Sequence, residues 1–165
     1  MKKLNLKLIV TFALMSLGII APAYAHHSFA MYDRDESYVF TGVVTRVAPD
    51  PAHLQIFFVP LNNARDAVIR DEDGEPIQWA VEMLDAARIA QQGVTVNNFP
   101  PGTIISVGLH PLRNGRPAGG RGDSGLYKCP ENTPPAAGMH CDSVEGSTKH
   151  GPGELEAHGT YPYSE

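Results

Sequence analysis

Four segments rich in β-branched and aromatic residues, interrupted once by a helical pattern, place the strongest constraint on the fold. These segments span residues 38–47, 53–59, 77–83 and 103–109, and their composition predicts strands. Apolar and polar residues alternate over 77–83, which predicts that Trp79 anchors a core. Residues 84–92 favour a helix, with Asp85 as its N-cap and Gly93 as its C-terminal stop. The chain is therefore expected to be β-rich with one short helix.

The order strand, strand, strand, helix, strand predicts a small five-stranded Greek-key barrel of the OB type. Residues 126–128 are the candidate fifth strand, and an open sandwich-like sheet with one helix is the competing architecture. Gly42 predicts a bulge or a bend within the first strand. The acidic cluster ending at Gly74 lacks the spacing of an EF-hand calcium loop and predicts a hairpin turn.

The start of the chain has the pattern of a secretory signal peptide. Three lysines among the first seven residues precede an apolar run over residues 8–21, and Ala23 and Ala25 fit a cleavage site. The run is short for a retained membrane anchor, which is the alternative. We therefore predict cleavage after Ala25, export to the bacterial periplasm, and no stable membrane span in the mature protein.

The expected domain organisation follows from these segments. Residues 1–25 form the signal peptide, residues 26–128 an N-terminal arm and the OB-like barrel, and residues 129–165 a disulfide loop with a flexible, irregular tail. The stretch 113–125 is rich in glycine and arginine and predicts a flexible loop. Few apolar residues lie beyond position 128, so little of that region is expected to pack as regular structure.

Charge limits the partners that the protein can bind. The 165 residues include 13 Lys and Arg and 18 Asp and Glu, and three of the basic residues lie in the leader. An acidic mature surface argues against binding nucleic acid or an anionic membrane surface. We expect the partner to be a metal ion or an unknown periplasmic component.

Cys129 and Cys141 are the two cysteines of the chain. In an oxidising compartment a local, even pair predicts a disulfide. The short loop that it closes would stabilise the fold by about 2–3 kcal/mol on the chain-entropy model. Such a bond would withhold the thiolate from Met139-His140-Cys141, which otherwise resembles a soft-metal site.

The mature N-terminus predicted by the leader carries His26 followed by His27. An α-amine and imidazoles are available as neutral donors near neutral pH. A nitrogen-rich set of this kind suits Cu(II), with nickel and zinc behind it. The simpler alternative is that both histidines make polar contacts only.

Three other side chains are candidates to complete a metal site. His53 follows the turn at Pro51 and is expected at the mouth of the barrel, whereas His110 lies near the end of the fourth strand. Glu82 is expected on the non-core face of its strand and offers a carboxylate. Each of these is also a common surface residue. No specific role is expected for His150 or His158.

The sequence gives little support to an enzyme. Gly119-Gly120-Arg121-Gly122 lacks the strand and helix of a phosphate-binding fingerprint. Gly-x-Ser-x-Gly, His-Glu-x-x-His and Cys-x-x-Cys-His motifs are missing from the sequence. A Ser/His/Asp triad stays open, although nothing points to one.

The mature segment opens with His-His-Ser-Phe-Ala and carries further short motifs in its predicted strands and turns, at residues 26–30, 32–33, 40–44, 79–82 and 101–103. In these motifs it resembles a family of small bacterial periplasmic proteins of unknown function. That family usually has Asn-Pro-His at the start of its second strand, where this chain has Asp50-Pro51-Ala52-His53. The resemblance covers about residues 26–112 and implies the fold and location, with no established activity.

Together these observations predict an exported binding protein that holds copper or another divalent metal at His26-His27. The alternative is a metal-independent structural or interaction module that docks a protein or a small apolar ligand. An enzyme of unknown reaction comes third.

Overall fold

The computed structural model describes residues 30–50, 53–158 and 162–163. These residues contain seven strands: β1 Tyr38–Ala48, β2 His53–Pro60, β3 Trp79–Leu84, β4 Ile104–Pro111, β5 Ala118–Gly120, β6 Leu126–Lys128 and β7 Thr148–Lys149. Helix α1, Ala86–Gln91, lies between β3 and β4, and a 3-10 turn spans Cys141–Ser143. The described residues are thus mostly sheet with one short α-helix.

Five of the strands close into a ring. β1 pairs antiparallel with β2 and with β4, and β2 pairs antiparallel with β3. β5 completes the ring because it pairs parallel with β3 and antiparallel with β4. This strand order and the helix between β3 and β4 confirm the predicted OB-like barrel. The open-sheet alternative is wrong.

The identity of the closing strand corrects the sequence-based prediction. Residues 126–128 do form a strand, β6, but it pairs with β4 outside the ring. The ring is closed instead by Ala118–Gly120, within the stretch expected to be a flexible loop. A Cβ on Gly119 would lie 2.5 Å from the His110 carbonyl oxygen, so glycine is needed here for close backbone approach.

Local signals around β1 and α1 were mostly informative. The Asp85 side chain accepts hydrogen bonds from the Ala87 and Arg88 amides and caps α1, as predicted. The bulge or bend predicted at Gly42 lies a little further along β1, where the register shifts between Val44 and Arg46. Gly42 itself allows close packing, since a Cβ there would lie 2.7 Å from Phe58 and from the Val59 carbonyl oxygen.

The barrel interior is filled by apolar side chains from every long strand. Phe40, Phe58 and Phe99 are fully buried, and the Phe40 and Trp79 rings are 4.6 Å apart between centroids. Trp79 is the predicted core anchor, and its indole N–H donates to the Tyr163 hydroxyl. Aromatic packing of this kind accounts for much of the apolar area buried on folding.

The segment after β6 is attached to the barrel at several points. Cys129 and Cys141 form the predicted disulfide. β7 pairs with β6, and the backbone of His158 exchanges hydrogen bonds with that of Ser37. His150 has a packing role that the sequence did not predict: it is buried, its Nδ1 lies 2.8 Å from the Gln92 carbonyl oxygen, and its ring packs against Phe99.

Candidate functional site

Four polar side chains meet on the outer face of the barrel, and we call them the polar row: Tyr32, His53, Gln55 and Glu82. Alternation along β3 turns Val81 and Met83 into the core and leaves Glu82 outside. Gln55 of β2 is the register partner of Glu82, so the two side chains share a face. His53 lies two residues before Gln55 and therefore projects from the same face.

Contacts within the polar row converge on the Glu82 carboxylate. His53 Nδ1 lies 3.3 Å from Glu82 Oε1, although no hydrogen bond of this Nδ1 is formed among the described residues. Gln55 Nε2 lies 3.4 Å from Oε2 of the same carboxylate. The side chain of His53 is 37% exposed, although its Nδ1 is buried. The ring therefore turns its Nδ1 edge toward the carboxylate and its other edge outward.

Tyr32 reaches the row from the N-terminal arm. Its backbone forms a bridge with Leu112, and its side chain, in a residue only 7% exposed, packs over Gly120. A Cβ on Gly120 would lie 2.8–3.0 Å from three atoms of that ring. Burial raises the pKa of the Tyr32 hydroxyl, and the charge of Glu82 and a hydrogen bond to it raise that pKa further. The arm is thus fixed beside Glu82 by a neutral phenol.

His110 lies in the same row of the sheet but at a distance from His53. Gly120 is the register partner of both Glu82 and His110, so two strand spacings of about 4.8 Å separate Glu82 from His110 along the sheet. The Nδ1 of His110 lies 2.8 Å from the Glu36 carbonyl oxygen. Among the described residues, no three His, Cys, Asp or Glu side chains are grouped closely enough to hold a metal ion.

His26 and His27, the two histidines of the predicted mature terminus, lie outside the described residues. Four residues separate His27 from Tyr32 in the sequence. Of the candidate ligands named from sequence, the structure brings His53 and Glu82 together. Sequence reasoning missed Tyr32 and Gln55 as neighbours of Glu82, since only the register of β2 and β3 and the bridge to Leu112 join them.

A second polar cluster lies beneath the disulfide-closed loop. Thr41 Oγ1 is 2.7 Å from Ser106 Oγ and 2.8 Å from His140 Nδ1, and the Cys141 amide donates to Ser106 Oγ. Burial lowers the pKa of His140, and the charge of Arg65 lowers it further. Because Thr41 and Ser106 are both buried, these hydroxyls offer no accessible nucleophile and serve to seat the loop on β1 and β4.

The same contacts argue against a soft-metal site at Met139-His140-Cys141. The sulfur of Cys141 is bonded to Cys129, and the Nδ1 of His140 contacts a threonine hydroxyl. The three residues therefore do not present a thiolate, an imidazole and a thioether together.

In the described part of the chain, no helix is long and apolar enough to cross a membrane.

The comparisons with known proteins identify a family and leave the chemistry open. The chain matches the model of a family of unknown function (DUF6152) over residues 13–121, more than half of its 165 residues. No curated protein and no solved structure matches it. The five strands of the ring and the polar row all fall within the matched residues. Because the match covers more than half of the chain, the chain belongs to the family of unknown function DUF6152.

Proposed function

We propose that this protein is exported to the periplasm and binds one divalent metal ion, Cu(II) before nickel or zinc, through His26-His27 at its mature N-terminus. A terminal amine, one or two imidazoles and a deprotonated amide make a nitrogen-rich set that suits the tetragonal geometry of Cu(II). The leader supports the proposal because its cleavage after Ala25 would create that amine.

The orientation of His53 is the observation that carries the proposal. Histidines that bind metals commonly direct their second ring nitrogen toward a carboxylate, which fixes the ring and raises the basicity of the ligating nitrogen. His53 Nδ1 faces Glu82 Oε1 at 3.3 Å. With Nδ1 directed at Glu82, Nε2 is the ring nitrogen of His53 that would bind the metal.

The donor chemistry of the polar row is consistent with this proposal. Glu82 holds a carboxylate close to an imidazole, and Gln55 contributes a neutral amide beside it. His110 also directs its Nδ1 to an acceptor, the Glu36 carbonyl oxygen, as a metal-binding histidine can. It ranks behind His53 as the third nitrogen because, in the described part of the chain, no carboxylate is paired with it. We therefore propose His53 as the third nitrogen and Glu82 as the residue that orients it.

Copper titration of the purified mature protein tests the proposal, after mass spectrometry has established that the chain starts at His26. One equivalent of Cu(II) should bind, and one extra residue ahead of His26 should weaken binding by more than about tenfold, since it removes the amine from the chelate. Glu82→Gln should weaken binding by about tenfold or more, as loss of a partner that orients a ligand does. The exposed His158 provides the matched control, His158→Ala.

Equal, weak copper binding by the mature and extended proteins would refute the proposal. Binding that depends on the terminus and is unchanged by His53→Gln would retain the N-terminal site and remove His53 from it. If His26 and His27 can both be replaced without loss of function in cells, the metal-independent interaction module is the better description.

A further inference from the structure

A small cavity separate from the polar row lies between α1, the turn after β5 and the segment around Pro152. Its volume is about 50 Å³, whereas a cavity that holds a single water needs only about 10–15 Å³ when its volume is measured in the same way. Arg88 and Gln92 line it from the end of α1, and Arg121 and Asp123 line it from the turn. The cavity has room for a group larger than one water and has two arginines in its wall.

Arg121 is an unusual residue to find here, because it is only 4% exposed. Its Nε donates to the Ser124 carbonyl oxygen and its Nη2 to the His150 carbonyl oxygen, both at 2.8 Å. The remaining contacts, from Nη1 to Gln92 Oε1 and from Nη2 to the Pro152 carbonyl oxygen, are both 3.4 Å long. Nη1 therefore has donor capacity that short hydrogen bonds do not use.

The charge of Arg121 is also poorly compensated. No carboxylate forms an ion pair with it among the described residues, although the charge of Asp123 opposes the fall in the Arg121 pKa that burial causes. A buried cation without a close counter-charge is costly. Arg88 makes no ion pair in the described part of the chain, so the cavity wall carries two positive charges and one negative charge.

We propose that this cavity is a binding site for a small oxyanion, held between the Arg121 and Arg88 guanidiniums. Guanidinium groups present paired N–H donors that match the oxygens of phosphate, sulfate and carboxylate groups. Arg121 is held in place by backbone carbonyls before the ligand arrives, and Arg88, which is exposed on α1, closes over it. The site is independent of the proposed metal site.

The overall charge makes the expected binding distinctive. The chain has a formal net charge of −5, so its surface as a whole repels anions. Any oxyanion that binds at moderate ionic strength must therefore do so at a local site. The two arginines of the cavity provide such a site among the described residues.

The test uses the metal-free mature protein and inorganic phosphate at constant ionic strength, with chloride as the reference anion. Phosphate should raise the thermal midpoint in a saturable way and bind by calorimetry, with sulfate and acetate as comparison anions that define the preferred oxyanion. Arg88→Gln should weaken phosphate binding by about fivefold or more, the loss expected for one exposed charge-assisted contact. Arg34→Gln removes an exposed arginine away from the cavity and should leave binding unchanged.

Two results would overturn the proposal. One is a thermal midpoint that responds equally to phosphate and chloride, which would show a general salt effect. The other is an equal phosphate affinity in Arg88→Gln, Arg34→Gln and the unmodified protein. Because no metal is present in these measurements, neither result depends on whether the N-terminal histidines bind copper.

Discussion

Replacing Gly120 by alanine tests the packing that holds Tyr32 in the polar row. The new methyl carbon would lie 2.8, 2.9 and 3.0 Å from the Cε2, Cδ2 and Cζ atoms of the Tyr32 ring. These distances are shorter than carbon contacts allow, so the ring or the β5 backbone must move. The ring has little freedom to move, because the residue is 7% exposed and its backbone is bridged to Leu112.

Two opposing effects set the magnitude. Overpacking in a well-filled region costs about 1–3 kcal/mol. Removing a glycine from the unfolded chain stabilises by about 0.4–1 kcal/mol where the native backbone tolerates alanine, and Gly120 is not among the residues with a positive φ. The expected net effect is a loss of about 1–2 kcal/mol in the free energy of unfolding.

Reversible urea unfolding of four proteins measures this: the unmodified chain, Gly120→Ala, Tyr32→Ala and the double variant. With the ring removed, the alanine at position 120 has no clash, so Gly120→Ala should become neutral or stabilising in the Tyr32→Ala background. The two substitutions should therefore be coupled by about 1–3 kcal/mol. Additive effects, or a neutral Gly120→Ala in the unmodified chain, would refute the contact between Tyr32 and Gly120.

Three further predictions concern the segment after the barrel. Replacing Cys129 and Cys141 by alanine should lower the free energy of unfolding by about 3 kcal/mol relative to the oxidised protein, given their sequence separation of 12. Equal free energies of unfolding in urea for the two proteins would contradict this prediction. Burial lowers the pKa of His150 below its ordinary value, so the folded state disfavours the charged ring. The contribution of His150 to the free energy of unfolding should therefore be complete above about pH 6.5 and fall as the pH drops toward the folded pKa. The free energy of unfolding of His150→Asn should depend less steeply on pH. Removing the Tyr163 side chain should expose Trp79, the single tryptophan, and shift its fluorescence to longer wavelength, while an unchanged spectrum would show that Tyr163 does not cover it.

The predicted elements that were confirmed depend on local chemistry. β-branched and aromatic runs marked the four long strands, and the Asp85 cap marked the start of α1 within two residues. The alternation across β3 correctly assigned Trp79 to the core and Glu82 to the outer face. These features could be predicted because each arises from residues close together in the sequence, within one or two helical turns or a few positions of one strand.

The errors arose where distant segments decide the structure. Ala118-Gly119-Gly120 has the composition of a flexible loop, but it becomes a strand because β3 and β4 supply backbone partners on both sides. His150 lies among glycines and prolines and is nevertheless buried against Phe99. No local pattern carries this information, since the stabilising contacts come from residues far away in the sequence.

By itself the sequence determined the four long strands, the helix position and the cysteine pair, because composition and periodicity are local properties of the chain. The tertiary structure alone decided which strand closes the barrel and which side chains meet outside it. His53 and Glu82 are 29 residues apart in sequence and 3.3 Å apart between their nearest polar atoms, since antiparallel pairing of β2 with β3 fixes their register. Arg121 likewise became a buried cation only when the turn after β5, α1 and the later segment were packed together.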